Sequence, residues 1–184
     1  MTRVRTFLLI AAVLAARPAQ GQFIMVGFHL SASAGLNVPI SDLDQDAYAG
    51  FGISVRNESP LDPRWSLRSG LSYDRFGGKD RTNVDHLDYL ALASDLVHHT
   101  NTRTYQFIGV GIYRVNTVFH PVTPTFGNLG NESQVFGETD FGFQGGVGLN
   151  FGKVTKTFLE IGIVDVLTTG RSSVWFPLRY GIRF

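Results

Sequence analysis

The residues of this chain best suited to acid–base or metal chemistry are its histidines, because the 184-residue sequence contains no cysteine. The five histidines are His29, His86, His98, His99 and His120. No two of them have the helical spacing of a metalloprotease motif. His98 and His99 are adjacent, and since neighbouring residues of a strand point to opposite faces, they would chelate one metal poorly. The sequence therefore predicts no metal site and no cofactor.

A serine–histidine–acid triad is the main catalytic alternative, and His86 lies beside Asp85 and Asp88. Such a triad is recognised by its geometry and not by the order of its residues, so the presence of the residue types does not establish a site. We therefore predict no catalytic residues. A histidine and a serine within hydrogen-bond reach at a rim of the fold would reopen the question.

Three aspartates in one short segment have a spacing similar to that of a calcium loop. They are Asp42, Asp44 and Asp46. The sequence lacks the glycine and the remaining ligands that complete an EF-hand loop. This pattern favours a solvated acidic loop over a calcium site.

A larger group of charged and polar residues falls on positions that the strand pattern turns toward the inside of a barrel. Its members are Arg56, Arg68, Asp74, Asp140, Gln144, Glu160, Arg179 and Arg183. An isolated buried charge is very unfavourable, so these side chains must pair with one another or reach water. We predict a polar network in the lumen that closes the interior and fixes the register of the strands. A conduction path or a ligand site is the alternative.

The elements that position these residues follow from a hydrophobic period of two, which indicates strands. From Ile24 to Leu36 the even positions are apolar, whereas the odd positions become small and polar. The second strand is predicted to turn Ala47 and Phe51 outward and Tyr48 inward. Similar alternation recurs along the chain and gives eight strands.

Two of the eight strands do not show which side faces outward. In the fourth, residues 85–96, Leu87 and Tyr89 compete with Leu90. In the fifth, residues 104–115, aliphatic and aromatic residues occupy opposite faces. The longest predicted connection follows, over residues 116–139. The connections after odd-numbered strands include the longest loops, which is typical of the extracellular end of a bacterial barrel.

The fold class predicted from these patterns is all-β, an eight-stranded antiparallel transmembrane up-and-down β-barrel. Its strands are longer than the usual 5 to 6 or so residues of a soluble sheet, and about 9 to 11 residues suffice to span a membrane. After the N-terminal segment, no apolar run approaches the roughly 18 residues of a spanning helix. The polar face would line a narrow interior filled by side chains.

The first 21 residues are predicted to be a signal peptide, and residues 22–184 the outer-membrane β-barrel domain. Arg3 and Arg5 precede the apolar run 7–16, and small residues precede Gln22. Removal of this segment would leave 13 lysines and arginines against 15 acidic residues, from the 16 and 15 of the whole chain. Nucleic acid is therefore not an expected partner.

The C-terminal segment indicates the destination of the chain. Apolar residues occupy every second position and end on an aromatic residue. These residues are Phe176, Leu178, Tyr180, Ile182 and Phe184. They resemble the β-signal that the outer-membrane assembly machinery reads. Pro177 interrupts one donor of the ladder and is expected at a bulge or an unpaired position.

The chain resembles the outer-membrane protein β-barrel domain family, the eight-stranded barrels related to OmpX and to the N-terminal domain of OmpA. Besides its ends, the segment 105–111 is similar to the aromatic, glycine-rich middle strand of that family, and 158–160 to its acidic late strand. The resemblance covers residues 22–184 and consists of diffuse patterns. The resemblance does not extend to the peptidoglycan-binding domain that follows the barrel in OmpA, so anchoring to the cell wall is not implied.

The resemblance implies an integral protein of the cell outer membrane with a structural or surface-interaction role and extracellular loops. A pore or conduit for small solutes or hydrophobic ligands is the second hypothesis. A lipid-modifying enzyme is the third, although the outward His-x-Ser arrangement of the lipid A deacylases is not found. The expected partners are outer-membrane lipid and, during insertion, the assembly machinery. A closed barrel has no free edges, so a monomer is expected.

Overall fold

The computed structural model describes residues 29–80, 82–120, 134–151, 156–168 and 171–184. The predicted signal peptide, residues 1–21, lies outside the described residues, as does the beginning of the predicted first strand. The same holds for residues 121–133, within the longest connection.

Eight antiparallel strands form one closed barrel in sequence order. They are β1 (His29–Ile40), β2 (Ala47–Pro60), β3 (Trp65–Gly78), β4 (Val84–His99), β5 (Thr104–Phe119), β6 (Val135–Phe151), β7 (Thr157–Thr168) and β8 (Arg171–Arg183), with a short helix, α1 (Asp42–Asp46), between β1 and β2. The barrel closes between β1 and β8, where Leu36 pairs with Leu178. The predicted fold class is confirmed.

The three connections at one end of the barrel have four or five residues each, and the other end carries the longest connection, residues 120–134. We call them the periplasmic end and the outer end, because bacterial barrels have short periplasmic turns and longer outer loops. No helix among the described residues is long and apolar enough to cross a membrane.

The strands around the longest connection extend further than the sequence indicates. Thr117 pairs with Phe136, so β5 and β6 continue into the segment 116–139 that was predicted to be a loop. Backbone pairing continues here because strand geometry requires no hydrophobic alternation, only partners for the N–H and C=O groups. The connection is reduced to residues 120–134.

The facing of β4 and β5, which the sequence leaves open, is set by where their tyrosines find partners. Leu90 and Ile108 face outward, and Tyr89 and Tyr105 are buried inside. The hydroxyl of a buried tyrosine needs a hydrogen-bond partner, and the lipid side offers none. Tyr89 donates to Ser173 at 3.1 Å and Tyr105 donates to Glu160 at 2.7 Å, so both rings turn toward the lumen.

At the start of β2, the predicted facing of Ala47 and Tyr48 is wrong. Ala47 is fully buried, whereas Tyr48 is exposed. The register between β2 and β3 shifts between Ala47 and Gly50, and a bulge of this kind reverses the alternation locally. Beyond the bulge, Phe51 faces outward as predicted.

Candidate functional site: the barrel interior

The centre of the barrel interior is organised around one buried carboxylate. Glu160 on β7 accepts a hydrogen bond from Nη1 of Arg56 at 2.6 Å and one from the hydroxyl of Tyr105 at 2.7 Å. Arg68 forms a salt bridge with the same carboxylate. Strands β2, β3, β5 and β7 thus meet at a single side chain.

Arg68 extends this cluster to a second acid that the sequence does not single out. Its Nε donates to Oδ2 of Asp95 at 3.0 Å. Asp95 also accepts a hydrogen bond from Gln144, and the ring of Phe107 lies 4.5 Å from the guanidinium carbon of Arg68. We call the resulting cluster the central network; it consists of Arg56, Arg68, Asp95, Tyr105, Gln144 and Glu160.

A separate ion pair joins β3 to β8. Asp74 and Arg179 form a salt bridge, and Nδ2 of Asn37 donates to Oδ1 of Asp74 at 2.7 Å. All three side chains are buried. The pair depends on Gly52, because a Cβ atom built there would overlap both Asp74 and Arg179.

A third polar group closes the periplasmic end. Nε2 of His99 lies 2.9 Å from Oε1 of Glu58 and 3.0 Å from Oγ of Ser66. Arg183 lies 3.6 Å from the other oxygen of Glu58. We call these four residues the periplasmic network.

The periplasmic network contains a serine, a histidine and a carboxylate, but it does not have the geometry of a catalytic triad. In a triad the histidine contacts the serine through one ring nitrogen and the acid through the other. Here Ser66 and Glu58 both contact Nε2 of His99. One nitrogen cannot both accept a proton from the serine and donate to the acid.

The structure brings together seven of the eight residues that were predicted to line the lumen. Arg56, Arg68, Gln144 and Glu160 belong to the central network, Asp74 pairs with Arg179, and Arg183 belongs to the periplasmic network. Asp140 joins none of these contacts among the described residues, and its buried Oδ2 atom has no hydrogen-bond partner there. Asp140 pairs in register with Tyr113, at a level where the inward face is aromatic.

One layer of the lumen toward the outer end is filled by aromatic rings, so the prediction of a polar lumen is wrong for this layer. The ring of Trp175 lies 5.0 Å from Tyr89, 5.6 Å from Phe76 and 6.3 Å from Tyr113. We call these four residues the aromatic layer. Leu43 of α1 is buried in the same cluster and covers it from the outer end.

The aromatic layer is difficult to predict from the sequence. Phe76 lies near the end of β3, two residues before its last residue, Gly78, and Tyr89 and Tyr113 lie in the two strands whose facing is ambiguous. Trp175 stands on the inward side of the C-terminal pattern, one position from Phe176. Each becomes recognisable only when the register of all eight strands is known.

The two cavities that border the central network are small. The cavity between the central network and the Asp74–Arg179 pair has a volume of about 20 Å³, and a second, beside Arg56 and Asp95, has about 10 Å³. A single water needs roughly 10–15 Å³. A vestibule of about 140 Å³ lies at the outer end, lined in part by Leu43, Tyr89 and Glu138.

The remaining chemical candidates lie outside the lumen or at its rim. Nδ1 of His86 lies 2.6 Å from Asp85, and Nε2 lies 3.4 Å from Asp88. Asp44 pairs with Lys79 at 3.1 Å. No group of three or more potential metal ligands occurs in the part of the chain that the structure describes.

The residues of the predicted assembly signal, four in β8 and Phe184 directly after it, all project outward. Their exposure ranges from 41% at Phe176 to 64% at Phe184. They form part of a continuous apolar band with the outward residues of neighbouring strands, such as Leu36 and Ile161. This band is what a lipid environment requires of a barrel surface.

The fold is shared with solved structures of eight-stranded outer-membrane barrels. One of them is Ail, the attachment invasion locus protein of Yersinia pestis, in complex with the heparin analogue sucrose octasulfate. It matches with a TM-score of 0.60 and a sequence identity of 16%, over 85% of this chain and 99% of that chain. Neisserial surface protein A matches with a TM-score of 0.54 and a sequence identity of 14%, over 85% of this chain and 96% of that chain. The N-terminal β-barrel domain of Pseudomonas aeruginosa OprF matches with a TM-score of 0.56 and a sequence identity of 11%, over 85% of this chain and 97% of that chain.

No protein-family model matches the chain, and neither does any curated protein. The structural matches confirm the predicted resemblance to OmpA- and OmpX-like barrels at the level of the fold. Together with the apolar outward band, they support the predicted location in the outer membrane.

Proposed function

We propose that this protein is a non-conducting outer-membrane barrel with a structural and surface-interaction role. The observation that carries this proposal is the double closure of the lumen. The central network blocks the middle of the barrel, and the aromatic layer blocks its outer part.

A pore would require a continuous path of water through both layers. Cavities of about 20 and 10 Å³ hold about one water each and provide no such path. Opening the central network would leave charged groups buried without partners, which is strongly unfavourable. Both considerations favour a permanently closed interior over a gate.

The outer end is where a surface partner would be met, and its described side chains are mainly acidic. They include Asp42, Asp80, Asp85 and Glu138, whereas Lys79 is already paired with Asp44. Such a surface favours basic or neutral partners over polyanions. The heparin analogue bound by Ail is therefore not a ligand that we carry over to this chain.

Conductance in planar bilayers tests this role against the pore hypothesis. We expect the purified barrel to insert without producing current steps. Steady single-channel steps that scale with salt concentration would overturn the proposal.

We further propose that the barrel has no enzymatic activity, since Ser66 and Glu58 share one nitrogen of His99. Purified barrel incubated with phospholipid and lipopolysaccharide is expected to release no fatty acid. Turnover that Ser66→Ala abolishes, while a heat-modifiable barrel is retained, would instead identify the periplasmic network as a catalytic site.

A further inference from the structure

The outward surface of the barrel carries a groove near the periplasmic end, across strands β3 to β6. Its volume is about 310 Å³. The groove is lined by Trp65, Leu96, His98, Gln106, Ile108 and Val147, with Phe107 and Gly146 at its floor. The groove lies outside the lumen, so a role for it does not depend on whether the barrel conducts.

A glycine lies beside the groove on the lipid-facing surface. Gly145 occupies an outward position of β6, in register with the exposed Ile108. A Cβ atom built on Gly145 would come no closer than 3.3 Å to the backbone oxygen of Phe107. At Gly146, by contrast, a Cβ atom would overlap the backbone of β7. Close strand packing thus requires Gly146, whereas a side chain at the outward Gly145 would meet only the backbone of β5.

The periplasmic edge of the groove is polar. Nε2 of Gln106 lies 3.3 Å from Nδ1 of His98, and the imidazole lies 4.5 Å from the ring of Trp65. Two exposed arginines follow in the adjoining turns, Arg64 before β3 and Arg103 before β5, and the one acid of the first turn, Asp62, accepts the backbone N–H groups of Arg64 and Trp65. The groove therefore passes from a hydrocarbon-lined part to hydrogen-bonding groups and then to positive charge.

This order of surfaces matches an amphiphile that has an acyl chain and an anionic head. Trp side chains favour the membrane–water interface, so Trp65 places the polar edge at the level of the headgroups in the periplasmic leaflet. Arginines near that level attract anionic lipids. We propose that the groove is a binding site for an anionic phospholipid of the periplasmic leaflet, with one acyl chain beside Gly145 and the phosphate near His98, Gln106 and the two arginines.

The two tryptophans of the chain make the groove measurable. Trp65 lines it, whereas Trp175 is fully buried in the lumen. A Trp175→Phe variant keeps an aromatic ring in the aromatic layer and leaves Trp65 as the sole tryptophan. The fluorescence of this variant is measured in two series of vesicles. In the first, phosphatidylcholine contains increasing fractions of phosphatidylglycerol that is brominated on its acyl chains. In the second, phosphatidylglycerol contains increasing fractions of phosphatidylcholine brominated in the same way.

We expect brominated phosphatidylglycerol to quench Trp65 at lower mole fractions than brominated phosphatidylcholine, with an apparent preference of about threefold, the scale of partly exposed charge contacts. Arg64→Gln combined with Arg103→Gln should abolish the preference. Gly145→Phe should weaken quenching by both lipids, because the ring occupies the space of the acyl chain. Ala34→Phe, at an outward position of β1 on the other side of the barrel, should change neither.

Equal quenching by the two lipids would overturn the proposal, as would a Gly145→Phe curve identical to that of its background. Quenching by neither lipid would show that another molecule, such as a second copy of the chain, covers Trp65, and would also overturn it. Heat-modifiable migration of each variant on detergent gels establishes that the barrel has folded.

Discussion

Glu160 on β7 accepts a hydrogen bond from Arg56 on β2 at 2.6 Å, although 104 residues separate them in sequence. The two strands are not neighbours in the barrel, so this contact crosses the lumen. Backbone pairing alone would leave the two walls connected only around the circumference. The central network therefore ties opposite walls of the barrel together and fills the space between them.

Removal of the Glu160 carboxylate is expected to destabilise the barrel strongly. Glu160→Gln leaves Arg56 without its counter-charge and removes one of the two acids of Arg68. Breaking a buried ion pair costs about 3–5 kcal/mol, so the free energy of unfolding in lipid vesicles should fall by about 3 kcal/mol, measured by urea titration.

Arg75→Gln is the matched control for this measurement. Arg75 and Asp88 approach to 3.7 Å on the outward surface, with Arg75 42% exposed. Exposed pairs contribute about 1 kcal/mol or less. A loss in Glu160→Gln no larger than that in Arg75→Gln would show that the central network does not stabilise the barrel.

The fold was predictable from the sequence because the lipid-facing side of a barrel admits mainly apolar groups. In β1, β6 and β8 every outward position carries an apolar or small residue, so the period of two is visible without any tertiary information. The inside of this barrel obeys no such rule. It accepts arginine in one layer and tryptophan in the next, and the facing of β4 and β5 therefore became clear only from the structure.

Gly52 is predicted to stabilise the packing of the Asp74–Arg179 pair. A Cβ atom at this position overlaps both side chains, and overpacking of a filled interior typically costs about 1–3 kcal/mol. Gly52→Ala should therefore lower the free energy of unfolding by that amount. Gly77→Ala is the control, because a Cβ atom there meets nothing within 4 Å. Equal effects of the two substitutions would contradict the packing described here.

Trp175 is predicted to matter for stability but not for conductance. Trp175→Ala removes the ring at the centre of the aromatic layer, and truncation of a buried Trp costs about 3–5 kcal/mol. The central network beneath it stays intact, so the variant should remain electrically silent in planar bilayers. Current steps in Trp175→Ala alone would mean that the central network does not seal the lumen.

The candidate sites were less predictable than the fold, because they depend on which strands meet across the lumen. Asp95 was missed since it lies in β4, whose facing was ambiguous, and yet it holds both Arg68 and Gln144. His99 was considered only as a possible metal ligand, and it is the last residue of β4, in contact with Glu58 and Ser66. No local pattern links residues that are 41 positions apart.

Phe184 is predicted to act in assembly more than in stability. Its side chain is 64% exposed on the outward surface, so Phe184→Ala removes little buried packing. If the C-terminal pattern is read by the assembly machinery, the variant should refold normally in vitro but accumulate less heat-modifiable barrel in outer-membrane fractions. Phe151→Ala, an exposed aromatic residue on β6 outside the pattern, is the control. Equal accumulation of the two variants would argue against this role.

The acidic outer end is predicted to exclude sulfated polysaccharides. Asp42, Asp80 and Glu138 present like charge to such ligands. In detergent solution at physiological ionic strength, the barrel should pass through a heparin column without retention. Retention that is lost at high salt would show that basic side chains dominate this surface instead.

The closure of the lumen is tested most directly by single-channel recording of the wild-type barrel beside a variant in which both layers are opened. The variant combines Arg56→Ala, Arg68→Ala and Glu160→Ala in the central network with Trp175→Ala in the aromatic layer, and heat-modifiable migration verifies its fold. We expect silence from the wild type and discrete current steps from the variant. Discrete steps from the wild type itself would contradict a closed barrel.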